Sequence, residues 1–374
     1  MNILVLLPGT DTLKYWSIDL DEKRESISGE LEDYRVPGAG MSLVAEALGK
    51  AQGSGSPDVV AIRVPFGGDS FSGPILLNED VRRSLADLVP DAPLHLPGVI
   101  HVIEGCEQRF RETSIVLDFE TGFFVDLPAG EASYGISAKL RDALRLRRYG
   151  YHGIFHERAD AYVRSAETAA GMAGDRVLSI CLEPQPELAA ICRGRPLMVT
   201  GGATPLEGLP GETTCGEIDP SIVLTLAAGS LEWGNEQINV LLTKGSGLSA
   251  LAERPTTVAE VLGSTARDLK LASELFRYRI LIAAGAAKAV MSGIDAIVFS
   301  GRYADAGRRL GDWLAGRLGA RAGRISPQAA LPRWYVLQES LPAIIAARAR
   351  IALNRRNRAY SSPRNEVKGV RASL

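Results

Sequence analysis

Apolar residues run along this chain in short unbroken stretches, separated by segments whose apolar positions return every three to four residues. The stretches Ile3–Leu7, Val59–Val64, Ser114–Leu117, Val177–Cys181 and Ala296–Ser300 have the length and residue types of strands. Helical spacing marks Leu43–Ala51, Glu79–Leu88, Ser137–Leu146, Glu157–Met172, Thr257–Leu262, Ala272–Met291 and Gly307–Leu318. Strand and helix patterns alternating in this way predict an α/β fold, with sheets flanked by helices. The most apolar stretch, Arg279 to Ser300, is interrupted by Lys288 and Asp295, so it reads as a core helix followed by a strand rather than a membrane span. The opening Met1–Leu7 is short and has no basic flank, which fits a buried first strand better than a signal peptide. Gln52-Gly53-Ser54-Gly55-Ser56 reads as a surface loop, and no internal sequence repeat is visible.

Length adds that 374 residues exceed one ordinary core, so two domains are expected. A net charge of −2 argues against a dedicated nucleic-acid or membrane-surface binder. The four cysteines, Cys106, Cys181, Cys192 and Cys215, have neither CxxC nor zinc-like spacing; reduced thiols in a cytoplasmic setting are expected. From Arg348 onward the chain is basic. Its first part has the pattern of an amphipathic helix, and residues 359–374 read as a disordered, solvated tail.

Three stretches carry a more specific identification. Gly9-Thr10-Asp11-Thr12-Leu13-Lys14-Tyr15 resembles the first phosphate loop of the acetate kinase family. Arg147-Arg148-Tyr149-Gly150-Tyr151-His152-Gly153, with His156 following, resembles that family's Arg-Arg-Tyr-Gly-Phe-His-Gly signature. Thr204-Pro205-Leu206-Glu207-Gly208-Leu209-Pro210, then Gly216-Glu217-Ile218-Asp219-Pro220, is similar to a third signature. These lie in the family's order, and weaker matches such as Asp91-Ala92-Pro93-Leu94-His95 extend the resemblance to about Arg348.

The resemblance implies two actin-like (ribonuclease H-like) domains with mixed sheets, flanking helices and a cleft between them. It divides the chain into 1–122 plus 340–358 and 123–339, and implies a homodimer joined through the second domain. The family's chemistry is reversible transfer of a phosphoryl group from ATP, with magnesium, to a small carboxylate, giving an acyl phosphate. Arg63 aligns with a family arginine able to grip a carboxylate or phosphoryl group through two parallel hydrogen bonds. His152 aligns with a histidine that donates to developing charge. Glu120 takes the place of the catalytic aspartate, one methylene longer, and is a magnesium candidate together with Glu339. Pro65, Leu94, Tyr151 and Pro205 would line an apolar acyl pocket, with Tyr151 adding a hydroxyl. Thr10, Thr12, Lys14, Arg267 and Gly301 fall at nucleotide or phosphate positions.

The departures from the family gather around the nucleotide. The second phosphate loop, His-Leu-Gly-Asn-Gly-Ala-Ser in the family, here reads Cys181-Leu182-Glu183-Pro184-Gln185-Pro186-Glu187. Prolines offer no N–H to a phosphate, and Glu183 and Glu187 bring negative charge to its place. The second catalytic arginine falls at Thr214, a first-strand asparagine at Leu7, and the adenosine loop reads Gly301-Arg302-Tyr303-Ala304-Asp305-Ala306. Two other readings therefore stay open beside the kinase: a silent homologue that binds a carboxylate or a protein partner, and an acyl-phosphate reaction that does not use ATP.

Overall fold

The computed structural model describes residues 1–22, 24–34, 46, 49, 56–169, 174–229, 233–319 and 331–361. Its strands form two mixed sheets. The first, ordered β3-β2-β1-β4-β6-β5, contains β1 Asn2–Pro8, β2 Thr12–Asp19, β3 Arg24–Glu32, β4 Val59–Val64, β5 Ile75–Leu76 and β6 Ser114–Phe119. The second, ordered β11-β10-β7-β8-β9, contains β7 Arg176–Cys181, β8 Glu187–Cys192, β9 Arg195–Val199, β10 Ala296–Ser300 and β11 Arg333–Val336. The two are built alike. In each, an antiparallel three-strand meander (β1-β2-β3 or β7-β8-β9) is extended from its first strand by two parallel strands, β4 and β6 or β10 and β11. The repeat that sequence does not display is thus present in the topology.

Twelve α-helices lie among the described residues. They are α1 Glu79–Asp87, α2 Leu96–Arg109, α3 Ala129–Ala132, α4 Ala138–Ala143, α5 Gly153–Ala169, α6 Pro220–Ala228, α7 Asn235–Lys244, α8 Gly247–Leu251, α9 Val258–Gly263, α10 Lys270–Val290, α11 Gly311–Gly319 and α12 Leu341–Ser361. Several ends follow from local chemistry. Asn78 caps α1 by accepting from Val81 N, and Asp219 caps α6 with Pro220 at its first position, where no N–H is needed. The predicted helix at Glu157 begins four residues earlier, at Gly153. The predicted Gly307–Leu318 helix divides into a 3₁₀ segment, Ala304–Arg309, and α11. The expected helix Leu43–Ala51 lies outside the described residues but for 46 and 49, as do Gln52 to Gly55 and the tail beyond 361.

The uninterrupted apolar strands are those with both faces covered. On one face of the first sheet, Leu4, Leu6, Val60, Ile62 and Leu117 meet Val81 and Leu85 of α1 and Val99 and Val102 of α2. On the other, Ile3, Val5, Val59, Ala61 and Val116 meet Ile344, Ile345 and Ala349 of α12 and Ile154 and Phe155 of α5. Further along α5, Ala159 and Val163 pack on Val177, Ala189, Ile191 and Val298 of the second sheet, so this helix serves both halves. The opposite face of the second sheet rests on Phe276 and Ile280 of α10. Each large side chain removed from water in this way contributes about 1.5–3 kcal/mol.

The sequence places Arg348 at the start of a solvated basic stretch. The structure corrects this. Arg348 is largely buried on α12 and grips the buried Asp118 through Nε (2.7 Å) and Nη2 (3.0 Å), and its Nη1 reaches Glu157. Burial works against its charge, but the carboxylates of Asp118 and Glu157 more than offset that and hold the guanidinium protonated. A buried pair contributes little net stability, yet removing one partner strands the other charge. Arg348→Met is therefore expected to lower unfolding free energy by ~3–5 kcal/mol in urea denaturation. The double variant Arg348→Met/Asp118→Asn should recover most of that loss.

Candidate functional site

The C-terminal ends of parallel strands are where open α/β sheets place their ligands, because the chain turns away there and leaves a crevice. Arg63 sits at that end of β4, and Glu120 directly follows β6; their side chains share the sheet face covered by α12 and α5. Glu120 N donates to Val64 O at 3.0 Å, which seats the residue beside its partner. Arg63 Nε then donates to Glu120 Oε1 at 3.0 Å, and its Nη1 donates to Pro8 O at 3.2 Å. These contacts leave Nη2 unengaged among the described residues. Glu120 is almost fully buried, and its Oε2 has no partner there. An orphaned carboxylate oxygen of this kind, beside a fixed guanidinium, is a place for a hard cation or a hydrogen-bond donor. The next turn is pressed close. Gly67 N donates to Thr121 Oγ1, and a Cβ at Gly67 would lie 2.6 Å from the Phe119 ring.

The turn before α5 carries Tyr151 and His152. Arg148 anchors it to the stretch after β9 by donating to Thr200 O, Gly201 O and Glu207 Oε1. Glu187, the first residue of β8, holds the turn from beneath. Its carboxylate accepts Tyr151 N at 3.0 Å and His152 N at 2.9 Å, and lies 3.3 Å from His156 Nε2. His156 Nδ1 is in turn 2.7 Å from Ser179 Oγ. Such an approach requires glycine, since a Cβ at Gly201 would fall 1.9 Å from Glu187 Oε2. Sequence reading set Glu187 against an incoming phosphate. Here it faces inward and is matched by donors, so its charge does not line the cleft. Single-sequence reasoning had no signal for this role. Tyr151 also differs from expectation: its hydroxyl donates to Ala203 O at 2.6 Å, so the ring rather than the hydroxyl is available to a pocket.

The turn from β7 to β8, residues 182–186, lies beside His152 and the segment after β10. His152 Nε2 lies 2.9 Å from Gln185 O; a carbonyl only accepts, so Nε2 carries the proton and donates it there. Gln185 Nε2 donates to Pro205 O at 2.6 Å, and Glu212 N donates to Pro184 O at 2.7 Å. Glu183 Oε1 accepts the backbone N–H of Arg302 at 2.7 Å. Thr214, at the lost arginine position, leaves a buried Oγ1 without a partner among the described residues.

The structure thus brings Arg63, Glu120, Tyr151, His152 and Pro205 into one connected network and sets Gly301 at its rim. Other predicted residues stand apart from it. Pro65 is buried, whereas Leu94 is 63% exposed. Lys14 pairs with Glu30 at 3.4 Å, Thr10 lies on the β1–β2 turn and Thr12 begins β2. Arg267 is exposed in a 3₁₀ turn, and Glu339 is engaged by Arg158 in a surface ion pair. Glu120 Oε2 is one carboxylate oxygen that magnesium would take, with no cluster of three acidic, His or Cys side chains beside it among the described residues. The phosphates of a nucleotide do not fit the β7–β8 turn as it stands, because the His152 and Arg302 donors are already taken by the turn's own oxygens.

The family model described as the Acetokinase family matches residues 3–308. The acetate kinase of Clavibacter sepedonicus is 31% identical over 330 residues, covering 80% of this chain and 82% of that protein. An acetate kinase of Clostridium botulinum is 28% identical over 330 residues, with 80% and 83% covered. Among solved structures, Porphyromonas gingivalis acetate kinase superposes with a TM-score of 0.79 at 22% identity, over 94% of this chain and 99% of that one. A propionate kinase from Francisella tularensis gives 0.76 at 24% identity, over 93% and 98%.

The Glu187 hub makes stability depend on pH. Burial pushes the His156 imidazole below its ordinary 6.5. Burial alone would raise the Glu187 carboxyl, but His156 and the backbone donors hold it below its ordinary 4.5. With both groups depressed, the unfolded chain takes up protons first, so stability is whole above 6.5 and falls as pH drops below that value, then again below 4.5. The thermal midpoint should follow that course on acidification. Glu187→Ala should cost at least ~2 kcal/mol at neutral pH by stranding buried donors, and should flatten the limb below 4.5.

Proposed function

This chain belongs to the acetokinase family, and from that premise we propose that it is a carboxylate phosphotransferase, exchanging a phosphoryl group between a donor and a small carboxylic acid to make an acyl phosphate. Members of the family in general work with ATP and magnesium. The observation that carries the reading is the Arg63–Glu120 pair at the ends of β4 and β6, with one guanidinium nitrogen and one buried carboxylate oxygen left without partners among the described residues.

Transfer of this kind needs no covalent enzyme intermediate. A carboxylate oxygen attacks phosphorus in line, and the donor's bridging P–O bond breaks with its electron pair leaving on the donor. Arg63 binds the equatorial oxygens or the carboxylate, and Glu120 orients Arg63 through Nε. Magnesium bound at the free Glu120 oxygen would offset phosphoryl charge. His152 can donate to the transferring group once its Nε2 proton leaves Gln185 O. The Tyr151 ring and Pro205 are the apolar groups beside His152 suited to a short acyl chain.

We extend the reading to a homodimer. Helix α6 has no buried residue, exposing Ile222 and Leu224, while α10 exposes Leu271, Tyr278, Ile282 and Val290. An apolar surface of that extent suits a second copy of the chain. The four unpaired cysteines fit a reducing cytoplasm, and no helix among the described residues is long and apolar enough to cross a membrane.

Two measurements test these readings. With acyl phosphate trapped by hydroxylamine, Arg63→Ala should lose ~10³-fold or more in rate, and Arg63→Lys should not restore it because an ammonium lacks the planar fork. Wild type showing no product with any phosphoryl donor and C2–C4 carboxylic acids would refute the transferase reading. In light scattering after size exclusion, the wild-type chain should run as a dimer and Leu224→Arg/Ile282→Arg as a monomer.

A further inference from the structure

The glutamate in the β7–β8 turn and the one that opens β8 have different fates. Glu187 is spent on the protein interior, whereas Glu183 is partly exposed at the cleft, with a carboxylate oxygen 2.7 Å from Arg302 N and another 3.7 Å from Arg302 Nε. The backbone is shaped to meet it. Gly301 adopts φ +88°, and a Cβ there would lie 2.8 Å from Leu182 O, so the segment after β10 can press against the turn only as glycine. Leu182 N donates to Ser300 O at 2.8 Å and Tyr303 N donates to Leu182 O at 2.9 Å, fixing the two segments side by side. Three residues further along the turn, Gln185 O takes the His152 Nε2 proton. Pro184 and Pro186 contribute no N–H, and the Pro184 carbonyl accepts Glu212 N.

We propose that this turn is a built-in occupant of the cleft's anion donors, and that Glu183 determines which phosphoryl donor is admitted by excluding the phosphate chain of a nucleotide. A carboxylate on a backbone N–H, with a guanidinium beside it, is the arrangement a phosphate oxygen would adopt. An incoming phosphate must displace Glu183 or lie next to it. Two like charges about 4 Å apart in such a site cost on the order of 10³-fold in affinity at most. The inference rests on the phosphotransferase reading for its meaning, but it concerns binding rather than turnover.

Calorimetric titration of the full chain with Mg-ADP tests it. Glu183→Gln keeps an oxygen for Arg302 N and removes the charge; Glu183→Ala removes both, and a second variant guards against one that folds poorly. Glu104→Gln, exposed on α2, makes the same change in net charge elsewhere. The proposal expects at least tenfold tighter Mg-ADP binding in both Glu183 variants than in wild type, with Glu104→Gln unchanged. Equal affinity in wild type and the Glu183 variants, including no detectable binding in any of them, overturns it. So does an equal gain in Glu104→Gln. Loss of acyl transfer in wild type would refute the phosphotransferase reading without altering this comparison.

Discussion

A carboxylate removed from water must be met by donors, and much of this cleft is arranged around meeting one. Glu187 is nearly sealed from solvent and accepts the N–H groups of Tyr151 and His152, with His156 closing the third side. Those contacts hold the entry to α5 against the second sheet, and α5 in turn lies against the first. The position of His152, the glycine at 201 and the buried polar column through His156 to Ser179 all follow from satisfying this single charge. An apolar residue at 187 would pack but would leave two backbone donors without partners.

The five strands and most of the helices that sequence patterning locates are those whose apolar signal is unambiguous. β1, β4, β6, β7 and β10 are buried on both faces and appear as solid apolar runs. β2 alternates with a polar side, β8 and β9 carry Glu187, Arg195 and Pro196, and β11 is four half-buried residues, so none of them stands out from its surroundings. Helix α2 begins at Leu96-Pro97-Gly98, a start that reads as a turn. The site was legible to the extent that motifs fix it: Arg63, Glu120, Tyr151 and His152 do come together. What a motif cannot convey is which way a carboxylate points. Glu183 in the β7–β8 turn and Glu187 at the start of β8 are four residues apart, yet Glu187 faces the interior and Glu183 the backbone N–H of Arg302.

The two sheets repeat one topology, and their first hairpins occupy equivalent places. The β1–β2 turn keeps Gly9, whose N–H reaches Thr12 O at 2.7 Å, and Pro8 contributes a carbonyl to Arg63. The β7–β8 turn instead carries Glu183, Pro184, Gln185 and Pro186. A repeated scaffold allows that asymmetry: one hairpin lends a carbonyl to Arg63 while its counterpart accepts from His152 and Arg302, and both sheets keep the same strand order.

The closing helix has a consequence for how the chain is made. Ile3, Val5, Val59, Ala61 and Val116 are covered by residues 344–349, and Asp118 waits for Arg348. Domains ordinarily fold in order as they leave the ribosome. Here the first sheet emerges well before the part of its cover that residues 344–349 supply, and Asp118 lacks its guanidinium until that helix is made. The first sheet is therefore completed by a segment more than two hundred residues further along the chain, so its two faces are not closed at the same stage.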